Sequence, residues 1–75
     1  MVQRKDRLSR RLGWRVRQLR EAREWTQETL AGRAGLDRSY VAGIEAGLRN
    51  PSTKALAKLA RALSVSLATL FEGVE

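Results

Sequence analysis

Gly35 is the residue that most restricts what this chain can become. It stands between two short apolar-periodic runs in the stretch TQETLAGRAGLDRSYVAGIE, from Thr26 to Glu45. In the first run Leu30, Ala31 and Ala34 share a helical face behind Thr26; in the second Val41 and Ile44 do so behind Asp37. Threonine and aspartate both suit an N-cap. A glycine just past such a run stops a helix in the left-handed conformation, so the chain turns sharply and Leu36 can tuck beneath the turn. Two short helices joined so tightly form a helix-turn-helix, a unit whose second helix fits the major groove of DNA.

The chain has 75 residues, enough for one domain with a modest core, and a small all-α bundle suits that size. Its formal charge is +7 and unevenly placed. Residues 1–20 hold eight basic side chains against Asp6 alone, while the remainder is balanced. Clustered arginine favours a polyanion, either nucleic acid or an acidic membrane face, because neutralising phosphates releases counterions. Taken alone, the same charge run also describes a solvated helix face or tail.

Cysteine and histidine are both absent. Disulfides, cysteine-ligated zinc and histidine-based metal sites are thereby excluded, as are the triad chemistries that need a histidine base. The scattered acids form no paired constellation that would replace them. The expectation is a protein that is not an enzyme and needs no cofactor, metal or small-molecule ligand. No apolar run approaches the ~20 residues that span a bilayer, and no signal-like apolar stretch follows Met1. A cytoplasmic location with no membrane partner is expected.

Residues 1–7, MVQRKDR, carry almost no apolar content and read as a basic arm, either an overhang or a tail on DNA phosphates. Helix 1 is expected to begin between Leu8 and Gly13 and run to about Ala22. Leu8, Leu12, Val16 and Leu19 form its core stripe, with Arg10, Arg11, Arg15 and Arg17 off it. Gly13 weakens this segment by up to ~1 kcal/mol relative to alanine and blurs the start. Trp14 falls well off the stripe, whereas Trp25 directly precedes the cap and can pack on Leu30 or a neighbouring helix. The free amides behind Thr26 and the helix dipole make a seat for phosphate, to which Gln27 can add its side-chain amide.

Leu12-Gly13, Val16-Arg17, Leu19-Arg20, Thr26-Gln27-Glu28, Leu30-Ala31, Gly35, Ile44-Glu45, Gly47, Asn50-Pro51-Ser52 and Leu63-Ser64-Val65-Ser66 together resemble the phage Cro and repressor type of helix-turn-helix, the XRE family. The match covers roughly residues 12–71. Leu36-Asp37-Arg38-Ser39-Tyr40 followed by Gly43-Ile44-Glu45 looks most like the controller proteins of restriction-modification systems. The domain is therefore set at 12–71, after an arm and helix start over 1–11 and before a short tail over 72–75.

The resemblance implies a five-helix, lambda-repressor-like bundle that binds double-stranded DNA as a homodimer on a two-fold related operator and regulates transcription. It places Arg38, Ser39, Tyr40, Gly43 and Asp37 at base-facing positions. Arg38 leads, since its planar fork matches the guanine edge. Gly43 has no side chain to read with. Asp37 is read mainly as the helix 3 N-cap, worth ~1 kcal/mol. Tyr40 can serve a phosphate, a thymine methyl or packing against helix 2. Phosphate candidates are Thr26, Gln27, Arg49, Asn50, Ser52, Lys54 and Arg17. Arg20 and Glu45 are implied to form a partly buried ion pair joining helix 1 to the end of helix 3. Leu67 and Phe71, with Leu63, are candidates for the dimer seam, with core burial as the competing reading. An antitoxin-like protein-binding module is the alternative function.

Overall fold

A computed structural model describes residues 6–74. Asp6 starts the first helix, its carboxylate accepting the Ser9 amide at 2.7 Å and the Ser9 hydroxyl at 3.1 Å. The helix, α1, spans Arg7–Glu21, one residue earlier than the periodicity placed it. The acidic cap outweighs the lack of apolar residues around it, so Arg7 belongs to the helix and not to the arm. Of the rest of the expected arm, Asp6 is that cap and residues 1–5 lie outside the described residues.

Four shorter helices follow: α2 (Gln27–Ala34), α3 (Arg38–Glu45), α4 (Thr53–Ala62) and α5 (Leu67–Leu70). Thr26, Ser52 and Ser66 each cap the helix behind them by accepting the amide three residues on, each at 3.0 Å. Gly35 ends α2 at φ 70°, and the Leu36 amide returns to the Ala31 carbonyl at 2.9 Å, which closes the turn. Asp37 occupies the N-cap position of α3, but its side chain accepts no capping bond, so the cap energy expected of it is not realised there.

Every helix contributes to one core. Val16, Leu30, Val41, Ile44, Leu59, Leu63 and Leu70 are fully buried, and Leu12, Ala31, Ala34 and Ala60 join them. Each large aliphatic side chain so buried contributes about 1.5–3 kcal/mol, which is how 75 residues hold a fold without disulfides. Two parts of the expected pattern differ. Leu8 is 57% exposed, because the stripe runs past the end of the core, and Leu63 is fully buried and unavailable to a dimer seam.

Two arginines tie the helices together through main-chain carbonyls. Arg15 donates to the Thr69 carbonyl from both Nε (3.3 Å) and Nη2 (2.9 Å), fastening α5 to α1. Arg23 donates to the Leu19 carbonyl at 2.8 Å and also to that of Leu63, joining the ends of α1 and α4. Arg33 lies over the Trp25 ring with its guanidinium carbon 4.5 Å from the centroid, closing the α1–α2 link. Among the described residues, no buried side-chain nitrogen or oxygen lacks a partner.

Candidate nucleic-acid interface

The inward positions of α3 are Val41 and Ile44, which leaves Arg38 and Ser39 exposed on its first turn. Asp37 is exposed beside them. The rest of the outer surface is partly occupied by the protein itself. Tyr40 is half-buried and its hydroxyl accepts the Ser52 amide at 3.3 Å, tying α3 to the start of α4. Arg49 crosses the same surface. Its stem packs where a Gly43 β-carbon would be, 2.9 Å from the Arg49 Cγ, and its guanidinium carbon sits 5.3 Å from the Tyr40 centroid. Gly43 is therefore a bed for Arg49 and offers nothing of its own to a base.

The Glu45 carboxylate is the junction that fixes this surface. It accepts Arg20 Nε at 2.7 Å on one oxygen, and Arg20 Nη2 and Gln27 Nε2, each at 3.0 Å, on the other. Arg20 Nη1 goes on to the Trp25 carbonyl at 2.6 Å. The Arg20 and Glu45 side chains are only 11% and 3% exposed, so the pair is buried but fully bonded. Donating hydrogen bonds to Glu45 chiefly raises the Arg20 guanidinium above its ordinary range, against the opposing effect of burial. One carboxylate thus locks the end of α3 to α1 and to the first residue of α2.

At the start of α2 the Thr26 hydroxyl accepts the capping Thr29 amide and pairs with Thr29 Oγ1, and the main-chain amides of the first turn add further donors for a phosphate there. One amide hydrogen of Gln27 is held by Glu45 and the other remains available. The Ser52 hydroxyl accepts the Ala55 amide as the cap of α4, which leaves its own hydrogen to donate. Asn50 accepts the Ser9 hydroxyl at 3.2 Å through Oδ1, which leaves its amide nitrogen to donate. Lys54 is exposed on the first turn of α4, and Arg17 is exposed on α1, paired to Glu21 at 3.0 Å. Leu67 and Phe71 are 44% and 39% exposed, and Phe71 borders an apolar groove shared with Leu8, Leu56 and Val74.

Three relationships escaped the sequence: the Gln27–Glu45 bond, the Arg49–Tyr40 stack and the Ser9–Asn50 bond. The last two join residues without helical spacing, and nothing in a single sequence marks them. Gln27 and Glu45 open and close the helix-turn-helix stretch, the only hint that they meet.

A helix-turn-helix family model matches residues 16–70. The control protein C.MunI of Mycoplasma is 38% identical over 66 residues, covering 87% of this chain and 89% of that one. The crystal structure of the restriction-modification controller protein C.AhdI from Aeromonas hydrophila superposes with TM-score 0.82 at 49% identity, over 84% of this chain and 96% of that one. The controller protein C.Esp1396I, solved as a tetramer with its natural 35 base-pair operator, gives TM-score 0.84 at 33% identity, over 92% and 91% of the two chains.

Proposed function

Because the chain belongs to the XRE-type helix-turn-helix family and is similar there to restriction-modification controller proteins, we propose that it is a sequence-specific transcriptional regulator binding double-stranded DNA. It acts as a homodimer on a two-fold related operator. The observation that carries this reading is the outward placement of Arg38 and Ser39 on an α3 fixed from behind by Arg20, Glu45 and Gln27. A rigid scaffold with an exposed fork at the helix start is what direct readout of guanine requires.

Arg38 and Ser39 read bases. Lys54, Asn50, Arg49 and Arg17, with the α2 amides and Gln27, hold the backbone on either side. The domain extends over residues 12–71, with the exposed Leu67 and Phe71 forming the seam between two copies. No catalytic role is assigned, and the work is done in the cytoplasm, where such DNA lies. No observation favours the antitoxin-like alternative, and the relatives above are regulators.

Selection of bound sites from random duplexes tests the reading. The expected result is a consensus with two-fold related halves. A pool with no enrichment would overturn it.

A further inference from the structure

On the solvent side of α1, away from the edge where Gly13 and Arg20 meet α3, Arg7, Arg11, Trp14 and Gln18 succeed one another at helical spacing. Together with Arg10 and Arg15 of the same helix and with Glu72 and Gly73, they line a half-open cleft of about 730 Å³. Trp14 is 63% exposed within it. Among the described residues Arg7, Arg10 and Arg11 enter no ion pair, whereas Arg15 is spent on the Thr69 carbonyl, Gln18 and Glu72. Three uncommitted guanidinium groups thus surround a bare indole face, and the reading surface on α3 uses none of them.

From this arrangement we propose that the cleft is a second nucleic-acid site, which takes an unpaired nucleotide: its base stacks on Trp14 and its phosphate accepts from Arg7, Arg10 and Arg11. A duplex keeps its base faces stacked and can offer this cleft only phosphates, so the indole selects an unpaired base. An acidic peptide would satisfy the arginines but gains nothing from a flat aromatic surface. The Glu72 carboxylate can accept from a base amino group. Free nucleotides and single strands share this chemistry.

The test measures anisotropy of a labelled single strand of about eight alternating dA and dC nucleotides, a length within the usual range for such sites. Trp14→Leu, at an exposed position, and the double variant Arg7→Glu, Arg11→Glu are expected to weaken strand binding roughly tenfold or more, with duplex operator binding and melting temperature preserved in Trp14→Leu. Arg38→Ala is expected to do the reverse. AMP and the strand are then added separately while the Trp14 indole N–H resonance is followed. A shift with both assigns the site to nucleotides in general, and one with the strand alone assigns it to single strands. Strand binding that survives Trp14→Leu, or that disappears with Arg38→Ala, overturns the proposal. Equal binding of an oligoglutamate peptide overturns it in favour of an acidic protein partner.

Discussion

Gly13 lies against the main-chain carbonyl of Ile44 with no room between them for a methyl group. A β-carbon on Gly13 would stand 2.2 Å from that oxygen and 2.8 Å from the Glu45 oxygen. The helices α1 and α3 therefore cross at backbone contact, and only glycine permits the approach. Gly32, in the middle of α2, has nothing within 4 Å of the same position. The two glycines should answer the same substitution with opposite signs. Gly32→Ala is expected to raise stability by up to ~1 kcal/mol through helix propensity. Gly13→Ala is expected to lower it by about 1–3 kcal/mol, since overpacking outweighs the propensity gain. Chemical denaturation of both variants checks the pair, and a stabilised Gly13→Ala protein would contradict the crossing.

Removing the Glu45 carboxylate leaves Arg20 buried without its counter-ion and frees Gln27. Glu45→Ala should cost of order 3 kcal/mol and abolish operator binding indirectly. Its melting curve decides the matter: a Tm equal to that of the parent would show that the pair carries no weight.

The Ser9 amide chiefly holds the Asp6 carboxyl below its ordinary pKa of 3.8, against the opposing effect of desolvation. A depressed folded-state pKa stabilises the fold above the unfolded value, and that contribution is lost as pH falls through the folded value. Asp6→Ala should therefore melt below the parent at neutral pH. The gap should narrow once the pH drops under about 3.8, and thermal melts of both proteins between neutral pH and acid would reveal it. A gap independent of pH would mean that Asp6 acts by some means other than its charge.

Arg38 and Lys54 should fail differently. Arg38→Ala is expected to cost ~1–3 kcal/mol on the preferred operator and to relax the base preference at one position of each half-site. Lys54→Ala should weaken all duplexes alike and reduce the salt slope by about one. Binding to operator and scrambled duplexes across a salt series separates the two effects.

Phe71→Asp, on the exposed end of the chain, is expected to give a folded monomer in sedimentation experiments. Leu63→Ala, by contrast, should cost about 2–5 kcal/mol of fold stability, because Leu63 fills the core. A dimeric Phe71→Asp protein would place the seam elsewhere.

Local chemistry that repeats was readable from the residues. Thr26, Ser52 and Ser66 cap the helices they precede, Gly35 turns left-handed after α2, and the apolar positions of α2 to α4 point inward. What was not readable belongs to crossings and to unusual backbone. Gly13 looked like a weakness in α1, yet it is the contact point with α3. After α1 and α4 the chain turns through Glu24 and Ser64, each at φ 58°, where no glycine signals the left-handed conformation. Leu63 shares a periodic face with true core residues and sits near the exposed Leu67 and Phe71, so spacing alone could not assign it to the core or the seam. At the site, the exposure of Arg38 follows from the inward pattern of Val41 and Ile44. The occupation of Gly43 by Arg49 depends on a loop whose path no periodicity describes.

Arg23 grips the carbonyls of Leu19 and Leu63 and Arg15 grips that of Thr69, which holds α4 and α5 to α1, while the Arg20–Glu45 pair holds α3 to the same helix. A pair of copies joined through Phe71 would then behave as a fixed gauge for spacing along DNA. Inserting one base pair between the half-sites rotates one of them by roughly 35°, and a frame without play has no way to follow.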